Sequence, residues 1–277
     1  MISTSKVLTE NKIKTFRDHV YRYYGLHGRD LPWRRTTNPY HILVSEIMLQ
    51  QTQVERVFEK YGAFIDRFPD FPFLAAAGLK DVLSAWQGMG YNRRALALKR
   101  LAEIVTARHN GDLPRTVEAL SELPGIGKTT AGEILAFAFD LPTAFIETNI
   151  RRVFIHHFFP NETTVKDQEI MPLVEATLDR DNPRTWYYAL MDYGSMLKKV
   201  VGNPNQRSAH YKKQAPFENS DREIRGLILR ILLKESVLTT DQLLERTGVD
   251  PDRIKRILIG MTREGLVRED QEAYTIS

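Results

Sequence analysis

There is no cysteine anywhere in the 277 residues. That absence excludes disulfides, thiolate zinc sites, cysteine nucleophiles and cysteine-ligated iron–sulfur clusters. Long apolar runs are missing as well. Nothing approaches the ~20 consecutive apolar residues that a bilayer-spanning helix needs. Met1 to Lys14 has no apolar core of the secretory kind. The expectation is therefore a cytoplasmic, nucleoid-associated protein with no membrane partner. A strong charge of either sign is also lacking: the net charge is +4, which suits nucleic acid but does not require it. The cations do cluster, at Arg34-Arg35, Arg93-Arg94 with Lys99-Arg100, Arg151-Arg152, Lys198-Lys199 and Lys212-Lys213.

What is present is helix. Hydrophobic residues make up 42% of the chain and aromatics 10%, enough for a sizeable core and two or three domains. Apolar residues recur at three- and four-residue spacing in Ile13 to Tyr24, Tyr40 to Phe58, Leu79 to Trp86, Ala95 to Ala107, Thr130 to Phe139 and Ile150 to Phe158. Turn signals separate these stretches at Asn38-Pro39, Phe68-Pro69-Asp70-Phe71-Pro72, Gly88-Met89-Gly90, Leu113-Pro114, Leu123-Pro124-Gly125 and Leu141-Pro142. Residues 201–220 are polar and basic and read as a linker or ordered loop. A second unit follows: a helix at Ile224 to Leu233, one capped near Thr239-Thr240-Asp241, and one opened by Asp250-Pro251. A hairpin of Gly265-Leu266-Val267 with Ala273-Tyr274-Thr275-Ile276 completes a winged-helix pattern. The expected divisions are 1–200, 201–220 and 221–277, in an all-α architecture with a small terminal hairpin.

Leu123-Pro124-Gly125-Ile126-Gly127-Lys128-Thr129-Thr130-Ala131-Gly132 leaves one helix and opens another. Gly125 and Gly127 permit positive φ and leave room for a phosphate at the backbone. The amide N–H groups at the start of the next helix then form an anion site, with Lys128 adding charge. Such a grip positions a strand without reading its sequence. A nucleotide-triphosphate loop needs four residues between its glycines, and here only Ile126 intervenes.

Glu46 interrupts the apolar run Ile42-Leu43-Val44 … Ile47-Met48-Leu49. On a helix its neighbours are apolar, which raises a carboxyl pKa and suits a general acid. Gln50 and Gln53 continue that face, and Gln51 lies one position around. Amide side chains there can fill the gap left by an extruded base.

Together the hairpin, Leu31-Pro32-Trp33-Arg34, Val44 to Val54, Gly88-Met89-Gly90-Tyr91 and Met191-Asp192-Tyr193-Gly194 resemble the MutY type of adenine DNA glycosylase within the helix-hairpin-helix superfamily. The likeness runs over roughly residues 10–200. It implies the helix-hairpin-helix DNA glycosylase fold, two helical subdomains with a cleft between. It also implies base flipping and hydrolysis of an N-glycosidic bond in double-stranded DNA carrying a mispair or lesion, by a monomer. The resemblance puts the catalytic acid on Glu46 and the second carboxylate on Glu147. Gln51 becomes the wedge, and Gly125, Gly127, Lys128, Thr129, Gln50, Arg34 and Tyr91 fall on DNA-contacting positions.

Four departures stand out. The family normally has Asp where Glu147 stands, so the charge is displaced by about one C–C bond. Thr129 occupies the place of the Schiff-base lysine of bifunctional relatives, which implies a monofunctional enzyme. The four cluster cysteines are replaced by Lys198, Asn205, Ser208 and Gln214, so no iron–sulfur cofactor is expected. The winged-helix pattern stands where the family has its 8-oxoguanine-recognition domain. Adenine opposite G or 8-oxoguanine is the leading substrate. Uracil or thymine opposite G, or a modified base, is an alternative, and a catalytically impaired DNA-binding protein acting through its winged helix is another. Tyr40, Tyr91, Trp33 and Tyr187 are candidate stacking aromatics, equally explicable as core.

Overall fold

A computed structural model describes residues 8–214 and 216–277. Ala215 and residues 1–7, where the leader expectation partly falls, lie outside it. Among the described residues the helices are α1 (Glu10–His27), α2 (Pro39–Leu49), α3 (Val54–Arg67), α4 (Phe71–Ala76), α5 (Leu79–Ala85), α6 (Arg93–Arg108), α7 (Val117–Ser121), α8 (Lys128–Phe139), α9 (Thr148–Phe158), α10 (Asp167–Thr177), α11 (Pro183–Val200) and α12 (Asp221–Glu235). Strand β1 (Val237–Thr239), α13 (Thr240–Thr247), α14 (Pro251–Glu264), β2 (Val267–Asp270) and β3 (Ala273–Ile276) follow. Short polar residues set many of the starts. Thr9, Asp70, Thr116, Ser220, Thr239 and Asp250 each accept an N–H from the first turn of the helix they precede.

The chain divides into two compact units. The first contains residues 1–42, 115–122 and 126–213. Its core is strongly aromatic: Phe137 stacks on Tyr188 at 4.5 Å, Phe145 on Tyr187 at 4.1 Å, and Phe16 meets Phe154 and Trp186 edge-on. Helices α9 and α11 cross so closely that a Cβ on Gly194 would lie 2.4 Å from the Asn149 carbonyl oxygen. The basic stretch after α11 is ordered loop. Val165 and Ser208 form a parallel bridge, and a 3₁₀ turn spans Pro204–Arg207. Arg207 donates to the carbonyls of Phe159 and, at 3.2 and 3.4 Å, of Glu162 and Ile155, so its charge sits at the C-terminal end of α9.

The second unit contains residues 43–114, 123–125 and 214–277. Its core gathers Val57, Tyr61 and Phe64 from α3, Leu74, Val82, Leu83 and Trp86 from α4 and α5 with its C-cap, and Ala95, Leu98 and Leu101 from α6. The C-terminal module is a winged helix, α12-β1-α13-α14-β2-β3. Its sheet runs in the order β1-β3-β2, antiparallel throughout, with Val237 opposite Thr275 and Val267 opposite Ile276. The expected hairpin is present. Strand β1 was not anticipated, because three residues of alternating burial carry too little pattern to register. The β2–β3 turn uses positive φ at both Gln271 (46°) and Glu272 (63°), matching strand twist without glycine.

Two helical expectations need correction. The run Tyr40 to Phe58 is two helices, broken at residues 50–53 with Gln51 at φ 57°. Its apolar period continues through the break, but Arg94 takes the α2 carbonyls that a continuing helix would have used. The stretch around Phe71-Pro72 is helix rather than turn: Asp70 caps α4 and Pro72 falls in its first turn, where a missing N–H costs nothing.

Candidate active site

Helix α2 carries Glu46. The residue is 7% exposed, with Ile42, Leu43, Val44, Ile47 and Met48 on the same helix all at 1% or less. The Ser45 hydroxyl lies 3.4 Å from Glu46 Oε1. Glu46 is therefore buried, as the apolar run around it in the sequence implies.

The end of α2 is held by one arginine. Arg94 on α6 donates from one nitrogen to the carbonyls of Ile47 (2.8 Å), Met48 (2.8 Å) and Gln50 (2.6 Å). Its other nitrogen reaches Thr52 Oγ1 (2.8 Å) and the carbonyls of Met89 (3.1 Å) and Gly90 (3.3 Å). Burial depresses its pKa to about 10. Arg94 thus ties the helix bearing Glu46 to the Gly88–Tyr91 loop within one unit. In the sequence it is one of a cation cluster, and a run of two arginines does not reveal which points inward. Arg93, its neighbour, is the exposed one. Gln50 Nε2 donates to the Gly125 carbonyl at 3.3 Å, while Gln51 is exposed in its left-handed conformation.

In the hairpin the two glycines do different work. Gly125 has φ 83°, and a Cβ there would lie 3.1 Å from that of Ala97. Gly127, which permits positive φ, instead has φ −95° with extended backbone. Nothing lies within 4 Å of the Cβ position at Gly127, so its small size leaves open space. Ile126 between them is buried. Gly127 caps α8 without a side chain, leaving first-turn N–H groups with no intrahelical acceptor. Lys128 and Thr129 are exposed there, and Thr130 is buried.

Glu147 begins α9 in the first unit. Its Oε1 accepts from the backbone N–H of Asn149 at 2.6 Å and of Ile150 at 3.0 Å, and Oε2 receives Asn149 Nδ2 at 3.4 Å. Burial pushes the carboxyl up, while these bonds and the Arg152 guanidinium pull the other way. Arg152 was read as part of another basic pair, yet it is 4% exposed and donates to Asn149 Oδ1 at 2.6 Å and to the Gly194 carbonyl at 2.7 Å. Asn205 Nδ2 donates to the Thr148 carbonyl at 2.8 Å. The Glu147 carboxylate is therefore fixed by its helix and by Arg152 through Asn149, with the loop after α11 bonded to the same helix start.

Arg34 has an internal partner. It forms a two-pronged pair with Asp192 at 2.8 Å and 2.8 Å, which Arg29 joins, and it lies over the Tyr188 ring at 4.5 Å. The Met191-Asp192-Tyr193-Gly194 signature thus supplies an ion pair and a close helix crossing. Of the candidate aromatics, Trp33, Tyr40 and Tyr187 are core, at 3% exposure or less. Only Tyr91 is partly exposed.

A glycine-built hairpin before a helix, joined to a helical core with a buried glutamate on α2, defines a helix-hairpin-helix DNA repair scaffold. Residues 44–176 match the HhH-GPD superfamily base excision DNA repair proteins. The adenine DNA glycosylase of Mycolicibacterium smegmatis is 32% identical over 89% of this chain and 90% of its own length. That of Mycobacterium tuberculosis is 41% identical over 76% of each chain. The chain belongs to the adenine DNA glycosylase family within that superfamily, a family of DNA N-glycosylases of base excision repair. It spans about half, 52%, of the adenine DNA glycosylase of Buchnera aphidicola, to which it is 37% identical. Among solved structures, a thermostable thymine-DNA glycosylase superposes with a TM-score of 0.60 at 27% identity, over 67% of this chain and 87% of the other. An endonuclease III–DNA complex shares the fold at TM-score 0.54 and 20% identity. No described helix is long and apolar enough to cross a membrane.

Proposed function

We propose that the chain is a monofunctional DNA glycosylase that removes adenine from a mispair with G or 8-oxoguanine in duplex DNA, acting as a monomer without an iron–sulfur cofactor. The observation that carries this is the contrast between its two glutamates. Glu46 is buried on a helix whose neighbouring residues are apolar, while Glu147 accepts two backbone N–H groups at the start of α9. Glu46 donates its proton to a ring nitrogen of the flipped base as the C1′–N bond breaks and its electrons pass to the base. Glu147 stabilises the cationic sugar left behind. Water then adds at C1′ and loses a proton, giving an abasic site. No lysine stands at position 129 to form a Schiff base, so the strand stays whole.

Gly125, Gly127, Lys128 and Thr129 supply the phosphate grip on one strand. Gln50, Gln51 and Tyr91 face the bases. Arg34 contributes by ordering the segment before α2 through Asp192. The relatives' names favour adenine, and the thymine-DNA glycosylase likeness makes thymine or uracil opposite G the second substrate to test.

A panel of duplexes bearing single mispairs, incubated with excess protein and then treated with alkali, decides between them. Cleavage confined to strands with adenine opposite G or 8-oxoguanine is expected. Cleavage only at T·G or U·G would transfer the enzyme to the second substrate class. Tight binding with no cleavage on any duplex would make it a DNA-binding protein instead.

A further inference from the structure

The Gly88–Tyr91 loop and the C-terminal module lie in one compact unit, and the Tyr91 phenol joins them. Tyr91 has φ 47°, a left-handed conformation that a residue with a large side chain keeps only when its surroundings impose it. The Tyr91 hydroxyl accepts from Arg222 at 2.8 Å and from Gln214 Nε2. Arg222 stands in the first turn of α12. Its guanidinium carbon is 5.8 Å from the Tyr91 ring and 5.9 Å from that of Phe217, and its second nitrogen donates to the Pro216 carbonyl at 3.3 Å. Arg94, which grips the Met89 and Gly90 carbonyls, lies 5.3 Å from the same Tyr91 ring. One arginine therefore fixes the loop's backbone and another its aromatic tip.

The module itself is poorly equipped to hold phosphate. Residues 221–277 contain ten Lys and Arg against eleven Asp and Glu. The wing exposes Arg268 but also Glu269, Asp270 and Glu272. Several cations are engaged internally, Arg253 with Asp221 at 2.8 Å, Arg246 with Glu235 at 2.7 Å and Arg225 with Glu264. DNA-gripping surfaces need unpaired cations in excess.

We propose that the winged-helix module acts on DNA recognition through Tyr91 rather than by touching DNA, with Arg222 as the positioning residue that sets the phenol. This rests on Tyr91 being a DNA-contacting residue.

The test uses the full chain and a fluorescent duplex with one A·8-oxoguanine mispair, with affinity read by anisotropy. Arg222→Ala and Tyr91→Phe each weaken binding about five- to tenfold, and the double variant is no weaker than the worse single. Arg222→Lys recovers most of the loss. Lys255→Ala with Arg256→Ala, on the exposed face of α14, leaves the salt dependence of binding unchanged. Tyr91→Phe keeps the ring and its packing, so the coupling remains measurable even if Arg222→Ala folds poorly. Wild-type affinity in Tyr91→Ala would remove the reading of Tyr91 as a DNA contact, and the proposal with it. Loss in Tyr91→Ala with additive effects of Arg222→Ala and Tyr91→Phe would overturn the positioning role alone. A salt slope reduced by the α14 double variant would show the module gripping DNA directly.

Discussion

At the scale of single residues, a buried carboxyl was legible in the sequence where a charge broke an apolar pattern. Glu46 could be found because six apolar neighbours surround it, and it is buried as that pattern demands. Arg94 and Arg152 were not legible. Each is a cation whose partners are backbone carbonyls or an amide brought near by folding, and no spacing rule records those. Glu147 was named from likeness alone, and the structure shows its Oε1 capping its own helix. Glu147→Gln is expected to lower the single-turnover rate at least about a hundredfold. Its weaker cap should cost about 1 kcal/mol in denaturant unfolding. A rate within threefold of wild type would remove Glu147 from the chemistry.

A second residue-scale prediction concerns His157. Its Nε2 and that of His19 both lie 2.9 Å from the Tyr193 hydroxyl. Burial, with His156 and His19 adding repulsion, pulls its pKa from 6.5 to about 4. The folded state resists taking a proton that the unfolded chain accepts below 6.5. Stability is therefore complete above that value and falls as pH drops towards 4. The loss is about 1–2 kcal/mol after allowing for solvent. Urea unfolding at a series of pH values should show this slope, and His157→Gln should flatten it.

At the scale of elements, most helices were foreshadowed by period and caps, and their edges moved by a few residues. One departure has a clear cause. The α2–α3 break is imposed from distant sequence by Arg94, which takes carbonyls that a local pattern assigns to a continuing helix. The tightest element contact, α9 against α11, depends on Gly194. Gly194→Ala would press a methyl group onto the Asn149 carbonyl beside the Glu147 cap. The expected cost is about 1–3 kcal/mol in unfolding free energy, with a disproportionate fall in turnover. Unchanged stability would mean that the crossing has slack.

At the scale of the molecule, a chain with no cysteine holds the segment after α11 by hydrogen bonds. Asn205 and Arg207 tie the loop after α11 to the two ends of α9, one beside Glu147 and one at the opposite terminus. Iron chelators should leave activity unchanged, since no thiolate exists to hold iron. The phosphate grip makes a further prediction. Lys128→Ala should reduce the slope of log affinity against log salt by about 1, uniformly across mispairs. A change confined to one mispair would assign Lys128 to base recognition instead.

The most direct test of the chemistry is the single-turnover rate of Glu46→Gln beside wild type on an A·8-oxoguanine duplex, with affinity measured in parallel. The side chain keeps its size and loses its proton, so the rate should fall by at least about a thousandfold while binding stays within threefold. Excision at a rate within tenfold of wild type would contradict the assignment of Glu46 as the acid.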